Sequence, residues 1–138
     1  YNAGADIAYS GTVGGAFEAI FQGIPAIAFS EGTDGADVIT KLYLDKILEK
    51  VINTQMEPDE ILNVNFPTCK PDEYKGVLWD RFISRFCNCN QHYNCTTLQD
   101  GTMSFSVESV YNGETEEGSD LRALNEHYIS IVKIKNFI

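Results

Sequence analysis

Apolar residues near the start of the chain follow a helical spacing and then form a strand-like run. After the turn-like Tyr-Ser-Gly-Thr at 9–12, large apolar residues recur at i, i+4, i+7 and i+8 from position 13. This spacing predicts a helix over 13–22 that ends near Gly23. The short apolar run at 24–29 predicts a buried strand. Small residues in the first helical turn would let another backbone approach closely: Gly14, Gly15 and Ala16.

The pattern then repeats with a longer helix and a second strand. A loop at 33–36, with a candidate N-cap at Asp34, precedes a predicted helix that extends to about Asn53. Residues 61–67 alternate, with Leu62, Val64 and Phe66 on one face and asparagines on the other, which predicts a strand. The apolar stripe of the long helix comprises Leu44, Ile47, Leu48, Val51 and Ile52. Alternating helices and strands favour an α/β fold with a parallel sheet.

The second half of the chain is richer in strand-like alternation. We expect it to form an extension of hairpins, a type of element that often mediates subunit contacts. The predicted elements are strands at 77–86 and 102–110, a polar cysteine-containing loop between them, an acidic loop at 112–118, a short helix at 120–126 capped by Ser119, and a final strand at 128–134.

Composition narrows the function classes. The chain has 138 residues, 43% of them hydrophobic, which fits one globular domain or a large piece of one. Its net charge of −10 opposes binding of a nucleic-acid polymer, whereas a single nucleotide stays possible. No run reaches the ~20 apolar residues of a membrane span, so we expect no membrane partner and a cytoplasmic location. Because the chain opens at Tyr1 inside a Gly/Ala-rich stretch, we expect native sequence to precede it.

Three of the four cysteines fall in the segment 87–95. One interpretation is a metal site made by Cys87, Cys89, Cys95 and His92. The other is a polar loop whose thiols are free or form a facultative disulfide. Structural zinc sites take cysteine pairs separated by two to four residues, and the Cys-x-Cys spacing here is tighter, which favours the loop.

The segment 9–13 carries the best candidate chemistry. It opens the first predicted helix, and a helix N-terminus presents unpaired N–H groups and a positive dipole end to an anion. Ser10 and Thr12 add hydroxyl donors, and Gly11 lets the backbone approach a phosphate. The alternative is that Ser10 or Thr12 simply caps the helix. No nucleophile–base pair can be assigned to the two histidines, and the acidic run from Glu114 to Asp120 is typical of a solvated loop followed by a helix start.

Four blocks of the sequence resemble one known family. Residues 2–18 read Asn-Ala-Gly-Ala-Asp-Ile-Ala-Tyr-Ser-Gly-Thr-Val-Gly-Gly-Ala-Phe-Glu. They are similar to the phosphate-loop region of the SurE family of 5′/3′-nucleotidases, also called stationary-phase survival proteins. The other three blocks follow in the family's order and are Gly-Ile-Pro-Ala-Ile-Ala-Phe-Ser at 23–30, Leu-Asn-Val-Asn-Phe-Pro at 62–67, and Gly-Ser-Asp-Leu-Arg-Ala at 118–123 with Tyr-Ile-Ser-Ile at 128–131.

The resemblance implies both a fold and an activity. The fold is a Rossmann-like three-layer α/β core, with its C-terminal part at 1–76, and a β-hairpin extension and C-terminal oligomerisation tail at 77–138. The activity is that of a phosphomonoesterase, akin to an acid phosphatase, which hydrolyses nucleoside monophosphates at one divalent metal, Mg²⁺ or Mn²⁺. In such sites the metal polarises the phosphoryl group and orients the attacking water. The family forms homodimers or homotetramers.

Site residues are carried over by matching motifs. Ser10, Gly11 and Thr12 match the family's phosphate-contacting loop, and Asn2 and Tyr9 lie near the site. The family's metal ligands, a pair of Asp, a Ser and an Asn, match positions upstream of Tyr1, so the resemblance implies no metal ligand in this chain. The chain departs from the family at Val132-Lys133, where a Thr-Pro is usual, and in the segment 87–95, which has no counterpart.

Two other functions fit the same residues. One is a non-catalytic phosphate- or nucleotide-binding module that keeps the phosphate loop without the metal ligands. The other is an oligomerisation module that keeps only the fold and its subunit contacts. The intact phosphate loop at Ser10–Thr12 favours the nucleotidase.

Overall fold

The computed structural model describes residues 1–33 and 37–136, so the candidate cap at Asp34 lies outside the described residues. A short 3-10 helix, Ala5–Tyr9, precedes three α-helices and six strands. In chain order these are α1 (Gly11–Phe21), β1 (Ile27–Glu31), α2 (Asp37–Val51), β2 (Glu60–Phe66), β3 (Gly76–Leu78), β4 (Cys89–Thr97), β5 (Met103–Tyr111), α3 (Asp120–Asn125) and β6 (Tyr128–Lys135).

The main sheet is mixed and has the strand order β1-β2-β6-β3. β1 pairs with β2 in parallel, as predicted, and Phe29 lies opposite Val64. β6 runs antiparallel to β2, with Ile131 opposite Val64, and parallel to β3. The predicted parallel arrangement thus holds for the pairs β1-β2 and β3-β6, whereas the pair β2-β6 is antiparallel. Only Glu126 and His127 separate α3 from β6, so β6 starts where α3 ends, at the carboxyl edge of β2.

Helices cover the two faces of this sheet. On one face, Ile39, Ile47 and Val51 of α2 pack against apolar residues of β2 and β6. On the other face, Val13 and Ala16 of α1 pack against β1 and β2. The result is the predicted three-layer arrangement, and all seven residues of β2 are buried. Asn63 and Asn65 are thus inside the protein, on the α1 side of the sheet.

The sequence predicted only part of the buried faces of α1 and α2 correctly. The stripe predicted for α2 is buried at Ile47 and Val51, whereas Ile52 is 67% exposed. In α1, only Ala16 of the three small residues is buried, and a Cβ added at Gly14 or Gly15 would meet no atom within 4 Å. Within the described residues, these two glycines do not mark a close approach of backbones. The predicted helix ends were accurate, since Gly23 follows α1 with φ 74° and the Ser119 hydroxyl caps α3.

The second half of the chain contains the largest errors of the sequence analysis. The predicted strand at 77–86 forms only at β3, because Asp80 adopts φ 56°, a backbone conformation outside a strand. The predicted polar loop is instead the strand β4, which pairs along its full length with β5. A run of polar residues resembles a loop in the sequence alone. An exposed hairpin can nevertheless contain such residues, because neither face of β4 needs to be buried. β3 and β6 both belong to the main sheet, and β4 and β5 form a separate two-stranded hairpin.

Gly4 lies where three segments meet. It is buried, has φ 59°, and precedes the 3-10 helix. The next amide, Ala5 N–H, donates to Phe86 O at 3.0 Å. A Cβ at Gly4 would collide with that carbonyl oxygen and lie 2.6 Å from Leu121 Cδ1. Glycine is therefore required here for two independent reasons, the backbone angle and the lack of space.

We expect Gly4→Ala to lower the free energy of unfolding of the intact protein by about 3 kcal/mol or more, since positive φ and overpacking each cost about 1–3 kcal/mol. Urea-induced unfolding followed by circular dichroism measures this loss. Gly14→Ala is the matched control, because Gly14 is helical with open space around it, and there stability should stay equal or rise slightly. Equal effects of the two changes would contradict this account of Gly4.

Candidate active site

The backbone of Asn2 is bound by an amide side chain of the central strand. Asn2 N–H donates to Asn65 Oδ1 at 2.8 Å, and Asn65 Nδ2 donates back to Asn2 O at 3.0 Å. One side chain thus satisfies both backbone groups of the residue, as a neighbouring strand would. Since Asn65 is fully buried and belongs to the carboxyl end of β2, it fixes the start of the chain at that edge of the sheet.

Two more hydrogen bonds hold Asn2 in place. Asn63 Nδ2 donates to the same carbonyl oxygen at 2.7 Å, and Asn2 Nδ2 donates to Ser30 Oγ at 2.5 Å. Ser30 lies directly opposite Asn65 in the parallel pair β1-β2, so its side chain shares that face. The carboxyl edge of parallel strands is where ligands bind in open α/β sheets. Asn2, predicted to lie near the site, is held at this edge.

Asp120 is the second anchor of the same segment. Its carboxylate oxygens accept from three backbone N–H groups, those of Gly4, Ser84 and Leu121, each at 2.8 Å. The residue starts α3, as predicted, and it is 0% exposed, so its charge is buried. Burial raises the pKa of Asp120, and the three N–H donors act against that rise by stabilising the charged form.

Glu116 belongs to the same support. Its carboxylate accepts from Ser84 Oγ at 2.5 Å, and that hydrogen bond lowers the pKa of Glu116. The Arg85 side chain lies 3.2 Å from the same carboxylate. Glu116 and Asp120 therefore have a structural role. In the described parts of the chain, no group of three or more His, Cys, Asp or Glu residues could hold a metal ion.

Ser10 begins α1 and uses its side chain within the protein. Ser10 Oγ accepts from Val13 N–H at 3.0 Å, which is an N-cap. Its carbonyl oxygen accepts from Gly14 N–H at 2.9 Å. Capping was the alternative interpretation of this residue, and the structure shows it. A serine hydroxyl can accept and donate at once, so the cap leaves its own proton available to a ligand.

Gly11 and Thr12 present the unpaired groups of the helix N-terminus. Both residues are exposed. In the described part of the chain their N–H groups have no acceptor, as expected for the first turn of a helix, and the Thr12 hydroxyl has no partner. A Cβ at Gly11 would meet no atom within 4 Å, so the space beside the loop is open. Two N–H donors, one hydroxyl and the positive end of the helix dipole, together named the cradle, are groups of the kind that suit an anion.

Tyr9, the residue before this cradle, is 87% exposed. The 3-10 helix Ala5–Tyr9 joins the cradle to the anchored Asn2 and Gly4, but no hydrogen bond among the described residues links Asn2 directly to Ser10–Thr12. Asn63, Asn65, Ser30 and Asp120 were not recognised from the sequence as support for the site. The signal available was the pair of asparagines at alternate positions of a strand between two helical segments, which in a doubly covered sheet must be buried.

The structure contradicts a metal site at the cysteines. Cys89 and Cys95 both lie on β4, six residues apart, which in a strand separates them by roughly 20 Å. His92 lies at an odd position relative to both and points to the opposite face. Cys87 is beside Asp6, and hydrogen bonding to that carboxylate raises the pKa of the thiol. All four cysteines are free.

We expect Asn65→Leu to lower the free energy of unfolding of the intact protein by about 1–3 kcal/mol, because Asn2 N–H loses its acceptor in a largely buried place. Thermal and urea unfolding measure the change. Asn94→Leu is the control, since Asn94 is exposed on β4 and the effect there should stay within about 0.5 kcal/mol. If the control loses as much stability as Asn65→Leu, the bonds to Asn2 are not what Asn65 contributes.

The family profile and the relatives that match this chain name the same family. The profile of the family described as "Survival protein SurE" matches residues 1–89. The 5′-nucleotidase SurE of Afipia carboxidovorans is 31% identical over 97% of this chain and 55% of its own length, and that of Aquifex aeolicus is 33% identical over 96% and 53%. The chain therefore spans about half the length of the curated relatives it matches.

A solved structure agrees with these sequences. The crystal structure of the SurE protein from Aquifex aeolicus superposes with a TM-score of 0.74 at 33% identity, and covers 100% of this chain and 56% of its own. This similarity confirms the predicted Rossmann-like α/β fold. None of the helices in the described residues is long and apolar enough to cross a membrane. With a family profile over most of its length and relatives above 30% identity, the chain belongs to the SurE family.

Proposed function

We propose that the protein containing this chain is a 5′-nucleotidase, a hydrolase that cleaves nucleoside monophosphates into nucleoside and phosphate. The observation that supports this most is the match to relatives named 5′-nucleotidase SurE across 97% of the chain. Because the chain spans 55% of the Afipia relative, the activity is proposed for the whole protein. Cleavage at the 3′ position belongs to the same proposal, as does the cytoplasm as the place of action.

In this proposal the N-terminus of α1 binds the phosphate of the substrate. Gly11 N–H and Thr12 N–H are exposed and have no acceptor among the described residues, and the Thr12 hydroxyl belongs to the same turn. Donors that are already oriented stabilise negative charge on the phosphoryl oxygens without the cost of reorienting water. Ser10 keeps the first turn in place by capping it, and its hydroxyl proton can point to the same anion.

The divalent metal of this proposal, Mg²⁺ or Mn²⁺, has no ligand set in the described residues. Around Asn2, the buried polar atoms without a partner are Asn63 Oδ1 and Ser130 Oγ, a neutral amide oxygen and a neutral hydroxyl. Hard divalent ions are held mainly by carboxylates, and no suitable acidic group lies there. These residues therefore do not fit a complete metal site. We assign the metal ligands to the region of the protein that corresponds to the part of the relatives outside the match.

A homodimer or homotetramer is part of the same proposal, and the β4-β5 hairpin is its interface. The register of the hairpin places most of its apolar side chains on one face, with Val110 on the other, and those on the first face are exposed although they lie side by side. Phe105, opposite Cys95, is 64% exposed. The opposite face carries small or polar residues such as Ser104 and Ser106. An apolar face of this kind on a protruding ribbon is typical of a protein interface. Its outer apolar residues are Cys95, Met103, Phe105 and Val107.

Phosphate release from AMP and GMP by the intact protein, with Mg²⁺, with Mn²⁺ and with EDTA, tests the activity. We expect release that requires metal and stops with EDTA.

Thr12→Ala should lower the turnover number by about tenfold or more, since it removes one oriented donor. Thr96→Ala, on the exposed hairpin, serves as the control and should leave turnover unchanged. No release by folded protein with either metal would favour the non-catalytic binding module instead.

The double change Phe105→Glu and Val107→Glu should convert the assembly to smaller species, because it places charge on the apolar face of the hairpin. Sedimentation velocity of the intact protein measures the mass. Ser104→Glu with Ser106→Glu adds the same charge to the opposite face and should leave the mass unchanged. An unchanged mass of the first variant, relative to an oligomeric parent, would remove the hairpin from the interface.

A further inference from the structure

A cavity of about 560 Å³ lies between the 3-10 helix and the base of the hairpin. Asp6 and Tyr9 line it from one side, and residues 89–91 and Tyr93 line it from the other. Its volume is within the about 300–1,000 Å³ that small-molecule sites occupy. Neither Asn2 nor the residues of the cradle, Ser10–Thr12, line it.

The cavity adjoins the phosphate cradle through the chain itself. Tyr9, one of its walls, is the residue immediately before Ser10, and the N–H groups of Gly11 and Thr12 follow at once. Consecutive Cα atoms are about 3.8 Å apart, so the Cα atoms of Tyr9 and Gly11 lie within about 8 Å of each other. A phosphate ester that fills both places must therefore carry a sizeable organic group.

Two tyrosine rings indicate what that group is. Tyr9 is 87% exposed and Tyr93 is 71% exposed, and they line the cavity from the 3-10 helix and from β4, respectively. Among the described residues, neither ring packs against another aromatic ring, whereas the interior aromatics form pairs such as Tyr43 with Tyr74. Exposed tyrosines that flank an open space suit stacking with a flat heteroaromatic ring, an interaction that every nucleobase can make.

Polar groups on the hairpin wall suit the edges of the same ligand. The Asn90 amide lies on the wall and has no hydrogen-bond partner in the described residues. The neighbouring Gln91 accepts a hydrogen bond from Ser109 Oγ at its Oε1, over 2.9 Å, and this bond orients its amide. Among the described residues, the N–H groups of Gln91 Nε2 have no acceptor. A nucleobase or a ribose presents both acceptors and hydroxyls to such amides.

We propose that this cavity binds the base and ribose of the nucleotide whose phosphate lies at Ser10–Thr12, with the base stacked against Tyr9 and Tyr93. The proposal rests on the proposed function for the identity of the substrate. It adds the residues that distinguish a nucleotide from a smaller phosphate ester. The hairpin then has two parts, which meet at Tyr93 and Val107, since these two residues lie opposite each other. The part nearer its base belongs to the substrate site, and the apolar residues beyond this pair belong to the interface.

Binding of adenosine to the intact protein, measured by isothermal titration calorimetry, tests this assignment without relying on catalysis. Tyr9→Ala and Tyr93→Ala should each weaken adenosine binding by about tenfold, since loss of an aromatic stacking partner costs about that much. Neither change should alter the affinity for inorganic phosphate, titrated separately. Tyr93→Phe keeps the ring and should retain adenosine affinity within about twofold of the parent protein.

Phe21→Ala is the matched control, because Phe21 is an exposed ring at the opposite end of α1 and should leave adenosine binding unchanged. Adenosine affinity that is unaffected by both Tyr→Ala variants, or no adenosine binding to the parent protein at millimolar concentration, would overturn the assignment. A parent protein that releases phosphate from AMP but shows either result would retain the proposed function and lose only this inference. Adenosine binding that depends on the two tyrosines, without any phosphate release, would retain this inference and contradict the proposed function.

Discussion

The hydrogen bonds between Asn2 and the two asparagines of β2 determine how the rest of the site is placed. β2 is covered on both faces, so Asn63 and Asn65 are removed from water and need partners inside the protein. The backbone of Asn2 supplies partners for both ends of the Asn65 amide and for Asn63 Nδ2, and in return it is fixed without belonging to any strand. Buried amides of this kind stabilise one arrangement strongly, because any displacement leaves several polar groups unpaired.

The carboxylate of Asp120 makes the same region rigid from the other side. Gly4, two residues after Asn2, donates its N–H to Asp120, which also binds the N–H groups of Ser84 and Leu121. Two fixed points so close in sequence determine the direction in which the chain enters the 3-10 helix and α1. The exposed N–H groups at Gly11 and Thr12 are thus carried by a short element whose start is anchored at two points.

The sequence predicted what depends on local pattern and missed what depends on distant partners. The helix α1, its cap at Ser10 and the strand β2 follow from the spacing of apolar residues and from hydroxyl chemistry at a helix start. The strand β4 was missed because its polar residues acquire strand geometry only by pairing with β5. Asp120 looked like an ordinary charge at a helix start, and its burial is set by Gly4, which is far away in sequence. The resemblance to a family predicted a phosphate loop at Ser10–Thr12, but the roles of Asn63, Asn65 and Asp120 required coordinates.

The bond from Gly4 to Asp120 joins residues 116 positions apart, and that from Asn2 to Asn65 joins residues 63 apart. During synthesis on the ribosome the segment with the phosphate loop is therefore made long before its anchors exist. Closing loops of this length costs entropy that is repaid only when the late strand β6 and helix α3 have joined the sheet. A nascent chain has the sequence of the anion cradle but not its support, so ordering of this site belongs to the last stage of folding.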